Sequence, residues 1–124
     1  MTEAVDVVPR VTHLAIDCDD LDGMARFWGA LLGMKVTERD EVWLELERLG
    51  EGGPVLSFQR VPEGKQVKNR LHLDLTVPDL DAAGVHARAL GARPVSALMG
   101  SDPEAPFQVW QDPEGNEFCF VTGG

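Results

Sequence analysis

Basic residues are scarce in this chain of 124 residues: 11 lysines and arginines stand against 21 aspartates and glutamates, a formal net charge of −10. A nucleic-acid partner needs a basic surface to neutralise phosphates, so the expectation is no nucleic acid and good solubility. Cysteine is nearly absent. Cys18 and Cys119 are too few for a disulfide framework and match no zinc-finger spacing, so they read as reduced thiols. No apolar run approaches the roughly 20 residues that span a bilayer. The opening MTEAVDVVPR has neither the basic flank nor the apolar stretch of a secretion signal. Together these predict a cytoplasmic protein with no membrane partner. GxSxG, P-loop and dinucleotide fingerprints are missing too, so Ser57 has no signature as a nucleophile.

What the chain does contain is a phrase written twice. HLAIDCDDL at 13–21 returns as HLDLTVPDL at 72–80. Each copy starts in an aliphatic, β-branched stretch, VTHLAIDC or RLHLDLTV, that suits a strand. Each runs into an acidic helix start: Asp20 and Asp79 can cap, while Asp22 and Asp81 face the helix dipole. Leu21, Met24, Phe27, Trp28, Leu31 and Leu32 recur at steps of three and four, and Leu80, Ala83, Ala87 and Leu90 do so more sparsely. Gly33 and Gly91 stop the two helices. Three strand candidates follow each: MKVTER, VWLELE and PVLSFQR, then RPVSAL, FQVWQ and EFCFV, the last two joined by the turn DPEGN. The predicted organisation is a flexible N-terminus at 1–10, a βαβββ module at 11–62, a linker at 63–69 and a second module at 70–122. The whole makes one compact domain, since the chain is long enough for a single core.

Side chains alternate between the faces of a strand. Leu14 and Ile16, and likewise Leu71, Leu73 and Leu75, form apolar faces that need helices as cover. The opposite faces collect His13, Asp17, His72, Asp74, Ser57, Gln59, Glu117 and Cys119, which line a shared concave surface if the sheets curl toward each other. Glu45 and Trp43 join that surface if Leu44 and Leu46 face a helix. Trp28 reads as core and His86 as surface, and the register around Trp110 stays open. Cys119 also reads as a small buried hydrophobe. Lys65, Lys68 and Arg70 read as a solvated linker or as a rim that attracts an anion.

This pattern resembles the vicinal oxygen chelate superfamily, the fold of glyoxalase I, extradiol dioxygenases and bleomycin-resistance proteins. The likeness spans about residues 11–122. It rests on HLAIDCDDLDGMARFWGALLGM, HLDLTVPDLDAAGVHARALGA and DPEGNEF. FQRVPEGKQVKNRLHLDL looks like the glyoxalase-like subgroup common in bacteria. The resemblance implies an α+β fold, with two tandem βαβββ modules forming curled mixed sheets around a cleft. It implies a metal held by His or Gln on the first strand and Glu on the fourth strand of each module. His13 and His72 match, but Ser57 and Cys119 stand where the carboxylates belong. The cofactor expectation is therefore none, with a divalent zinc, nickel or iron ion on His13 and His72 as the alternative. The Cys119 thiolate could complete such a site, or Glu117 or Glu45 could replace a lost carboxylate.

The implied function is glyoxalase-like: a small-molecule-binding protein, a lyase or isomerase acting on a small carbonyl or other organic metabolite between the modules. His13, His72, Glu117 and Cys119 are the candidate catalytic groups. Trp43, Glu45, Ser57, Gln59 and Asp74 are the candidate ligand contacts. The alternative is a non-catalytic protein that sequesters a drug or metabolite, which the missing carboxylates suit equally well. The expected partners are a small-molecule ligand and a second copy in a homodimer.

Overall fold

The computed structural model of the chain describes residues 10–100, 104 and 106–122, so the expected flexible N-terminus lies outside the described residues except for Arg10. The first half contains β1 (His13–Cys18), α1 (Leu21–Leu32), β2 (Glu38–Arg39), β3 (Trp43–Arg48) and β4 (Val55–Arg60). The second repeats the order with β5 (Leu73–Thr76), α2 (Leu80–Ala89), β6 (Arg93–Pro94), β7 (Phe107–Gln111) and β8 (Glu117–Val121). They build two four-stranded sheets, β1-β4-β3-β2 and β5-β8-β7-β6. In each, the first strand pairs with the fourth in parallel and the other pairings are antiparallel. The fold is α+β, and the sheets do not join into a closed barrel: β1 and β5 stand at the ends of their sheets. No helix among the described residues is long and apolar enough to cross a membrane.

Local chemistry sets the helix ends. The Asp20 carboxylate accepts from the Gly23 N–H at 3.0 Å, and Gly33 closes α1 in the left-handed region at φ 68°. Asp79 accepts from the N–H groups of Asp81 and Ala82 at the start of α2. The expected strands at 34–39 and 93–98 contract to two residues each. Before β2, the Met34 N–H goes to the Gly29 carbonyl as a helix cap and the Lys35 N–H goes to the Glu47 carboxylate. Neither is left for a ladder. In β6, Pro94 has no N–H to give.

One core runs through both halves. Leu44, Leu46, Leu56 and Phe58 of the first sheet meet Leu21, Met24, Phe27 and Trp28 of α1. The Phe27 and Trp28 rings then reach Phe118 of β8, at centroid distances of 6.2 and 5.1 Å. Trp110 is buried with Phe118 and Phe120, so the open register resolves to a core position. Over it lies α2, where Gly84 permits close approach: a Cβ there would stand 3.1 Å from the indole. Leu71 departs from the expected covered face. It is 71% exposed, because the chain only becomes a strand at Leu73.

The turn between β7 and β8 grips α1. Glu114 accepts from the N–H groups of Asp19 and Asp20 at 2.7 and 2.8 Å, next to the helix N-terminus, where a carboxylate is favoured. Asp112 is fully buried and accepts from the Trp28 Nε1–H at 3.1 Å.

Candidate functional site

Strand parity and register place the polar side chains in two groups. On the first sheet, Ser57 of β4 lies beside Ala15 of β1 and Glu45 of β3, and Trp43 lies beside Gln59. Glu45 Oε2 accepts from His13 Nε2 at 3.0 Å and from the Trp43 Nε1–H at 2.9 Å. With its Nε2 proton given to Glu45, His13 offers Nδ1 to the Thr12 hydroxyl at 2.9 Å. Its ring sits edge-on to Trp43 at 5.9 Å. Ser57 is fully buried and its hydroxyl points to the Val55 carbonyl at 3.4 Å, while Gln59 is exposed.

On the second sheet, Asp74 of β5 pairs in register with Cys119 of β8, and Val109 of β7 flanks Cys119 on its other side. His72 stands two residues ahead of Asp74, and its Nε2 is 3.2 Å from Asp74 Oδ1. One donor atom each from His72, Asp74 and Cys119 lies within 4.8 Å of the others. Glu117, with a side chain only 13% exposed, accepts from Lys68 Nζ at 3.1 Å. These groups line a hollow of about 390 Å³ together with the apolar side chains of Met99, Phe107, Val109 and Val121. Glu117 also reaches a cleft of about 310 Å³ between the modules, where Leu14 and Ile16 of β1 face Leu71 and Leu73.

Both cysteines are buried, and their thiols shift the same way. Burial, reinforced by Glu114 and Asp112, pushes the Cys18 thiol up to about 12, which makes it an inert core group. Burial also raises the Cys119 thiol, with Asp74 adding to the rise and Lys68 opposing it. Without a partner cation, then, Cys119 is a neutral thiol.

Among the described residues, the structure gathers His13, Trp43 and Glu45 into one contact group and His72, Asp74 and Cys119 into another, with no hydrogen bond, ion pair or ring contact between them. The metal set implied by the resemblance, two histidines and two carboxylates, does not fit the residues present. Position 57 offers a buried hydroxyl, position 119 offers a thiol, and His13 is engaged by Glu45. No catalytic step is derived through that set. Sequence reading did not find the Lys68–Glu117 pair or the apolar lining. The alternation in FQVWQ carried a signal for the lining: once Trp110 is core, Phe107 and Val109 must face the other way.

A family model described as a glyoxalase-like domain matches residues 13–121. No curated protein matches the chain. Among solved structures, a glyoxalase/bleomycin resistance protein/dioxygenase family enzyme from Burkholderia phytofirmans PsJN superposes with a TM-score of 0.75 at 20% identity, covering 92% of this chain and 98% of that one. The fosfomycin resistance protein FosX from Listeria monocytogenes superposes with a TM-score of 0.75 at 12% identity, covering 95% and 96%. A glyoxalase/bleomycin resistance protein/dioxygenase from Nocardioides gives 0.72 at 17% identity, covering 99% and 92%. At these identities the likeness shows the fold alone.

Proposed function

The chain belongs to the glyoxalase-like domain family of the vicinal oxygen chelate superfamily, and from that premise we propose that it binds a small carbonyl compound in the hollow of the second module and moves a proton on it. The observation that carries this reading is the mixed lining of that hollow. Phe107, Val109, Val121 and Met99 give apolar surface for a carbon skeleton, and beside it stand a carboxylate and an ammonium. Glu117 is the base. One of its oxygens is held by Lys68, and it can take a proton from the carbon next to a carbonyl. Lys68 keeps further N–H donors, beyond the one given to Glu117, for the enolate oxygen that forms. Where that carbon bears a hydroxyl, transfer of the hydroxyl proton to the enolate oxygen and return of the carbon-bound proton to the former carbonyl carbon complete an isomerisation. Loss of a leaving group from the carbon on the other side, as the enolate re-forms the carbonyl, instead completes an elimination.

Deuterium exchange tests this directly. The chain is incubated in heavy water with hydroxyacetone and related small hydroxyketones, and loss of the proton signal beside the carbonyl is followed by NMR. Exchange well above the protein-free rate is the expected result. The alternative of a sequestering protein is supported by the missing carboxylates at Ser57 and Cys119. It predicts saturable shifts of protein resonances with no exchange, and that outcome would displace the isomerase or lyase reading.

The chain also fits a homodimer. Among the described residues, β1 and β5 each pair on one side alone, and such edges need cover. Val67 and Leu71 near the inter-module cleft are 76% and 71% exposed. A second copy could lay its His13 face against the His72 face of the first. Sedimentation equilibrium should report a dimer at micromolar concentration, and a monomer throughout would overturn this part of the proposal.

A further inference from the structure

We infer that the cleft between the modules is a second small-molecule site, and that it takes a primary ammonium carried on a short apolar body. The cleft, of about 310 Å³, follows the side of β1 that pairs with no strand among the described residues. Four consecutive residues, Leu14, Ala15, Ile16 and Asp17, therefore reach it from both faces of that strand. The second module contributes Leu71 and Leu73, and the fully buried Leu56 and Trp28 are its innermost lining. This stretch suits a hydrocarbon.

The polar end of the cleft is made of acceptors. Asn69 Nδ2 donates to the carbonyls of Leu71 and Glu117, at 3.2 and 3.3 Å. Asn116 Nδ2 donates to the Asp112 carboxylate at 3.2 Å. All of these partners only accept, so neither amide can be turned round, and both Oδ1 atoms are left over. Among the described residues nothing donates to either oxygen, and the Asp17 carboxylate has no hydrogen bond or ion pair. Asp17, Asn69 and Asn116 also line the adjoining hollow of about 570 Å³, so they stand together where the two spaces meet. An ammonium has three N–H donors and no acceptor, and one oxygen from each of these residues matches that count. A carboxylate ligand would set acceptors against acceptors.

The other charged groups leave this end free. Lys65 shares the mouth, but its Cβ and Cγ lie only 3.7 Å from where a Cβ on Gly115 would stand. Its stem packs on the β7–β8 turn while its ammonium extends to water. Glu117 is held by Lys68. Beyond the mouth, Glu63 and Arg70 carry opposite charges, and Glu114 is spent on the N–H groups of Asp19 and Asp20. The net charge of −10 draws a cation toward the chain. Glu117 alone is shared with the lining of the hollow that holds His72 and Cys119. The inference does not rest on the proton-transfer reading, because its ligand carries no carbonyl.

Hexylamine, hexanol and hexanoate are the probes, one chain length with three head groups. Each is titrated into the full chain and followed by calorimetry and amide NMR. We expect hexylamine to bind at one equivalent, to shift the amides of residues 14–17 and 71–73, and to weaken as salt is added. Hexanol should bind at least about 10-fold more weakly, and hexanoate should not compete. Asp17→Asn should weaken hexylamine by about 10-fold, the low end for a charge-assisted bond because Asp17 is exposed, and should leave hexanol unchanged. Asp74→Asn, in the other hollow, should leave hexylamine unchanged. The inference is overturned if the folded chain does not bind hexylamine, if hexanol or hexanoate binds as tightly, or if Asp17→Asn keeps full affinity. Shifts centred on Met99, Phe107 and Val109 would also overturn it, by placing the amine in the other hollow. If Asp17→Asn fails to fold, the three head groups on the wild-type chain decide alone. Absence of deuterium exchange on hydroxyketones would sink the base and leave every one of these outcomes readable.

Discussion

Glu117→Gln is expected to slow carbonyl-adjacent deuterium exchange by roughly 10²–10⁴-fold, the range that a positioned general base contributes. The amide keeps the length and shape of the carboxylate but cannot accept the carbon's proton. The effect should fall on kcat, with KM shifting by much less, because the apolar lining of Met99, Phe107 and Val109 is untouched. Lys68→Met provides the matching control. It removes the 3.1 Å contact to Glu117 and the donor for the enolate oxygen but leaves the base in place, so a smaller loss is expected. Exchange in Glu117→Gln at the wild-type rate would remove Glu117 from the mechanism. Equal loss in both variants would mean that the ion pair acts as one unit, with no separate role for the carboxylate.

Asp112→Ala should destabilise the fold by about 3–5 kcal/mol, because several buried donors lose their acceptor at about 1–3 kcal/mol each. Its carboxylate is fully buried and accepts from Trp28 Nε1 at 3.1 Å and from the backbone N–H groups of Glu114 and Asn116 at 2.9 Å each. Alanine removes the acceptor from these donors and from the Asn116 Nδ2–H, which also reaches the carboxylate at 3.2 Å. Asp112→Asn keeps one acceptor oxygen and should cost less, about 1–3 kcal/mol. Urea unfolding reads both, and a loss below about 1 kcal/mol in the alanine variant would mean that water enters and replaces the carboxylate.

The same residue has a pH signature. Burial holds its carboxyl above the ordinary aspartate value, against the pull of its hydrogen bonds. A raised folded value means that its contribution is complete below the unfolded value of about 3.9 and declines as pH rises through the folded one. The stability gap between wild type and Asp112→Asn should therefore be widest near about pH 4 and narrow toward about pH 7. A gap that widens with pH would mean that the hydrogen bonds outweigh the burial.

Much of the fold could be read in the residues because its determinants are local. Asp20 and Asp79 cap the helices, Gly33 terminates α1, and alternation in VLSFQ and EFCFV sorts apolar from polar faces. The repeat then implies two similar modules. The site was less legible. Parity says which face His13 and His72 occupy, but not whether the two faces meet, since that depends on how α1 packs against β8 through Trp28 and Phe118. The pairing of Asp74 with Cys119 needs the β5–β8 register, which no single strand encodes. Lys68 looked like a solvated linker residue, and only the return of β8 beside it supplies Glu117 as its partner.

The grip of the β7–β8 turn on α1 bears on how the protein is made. Asp20 leaves the ribosome 94 residues ahead of Glu114, and Trp28 precedes Asp112 by 84. At roughly 5–20 residues per second, the nascent helix waits on the order of 5–20 s for those carboxylates. Through that interval the Trp28 N–H lacks its Asp112 acceptor and the Trp28 ring lacks Phe118. The first module is synthesised as a surface awaiting its counterpart, and the β7–β8 turn, translated later, completes the helix made before it.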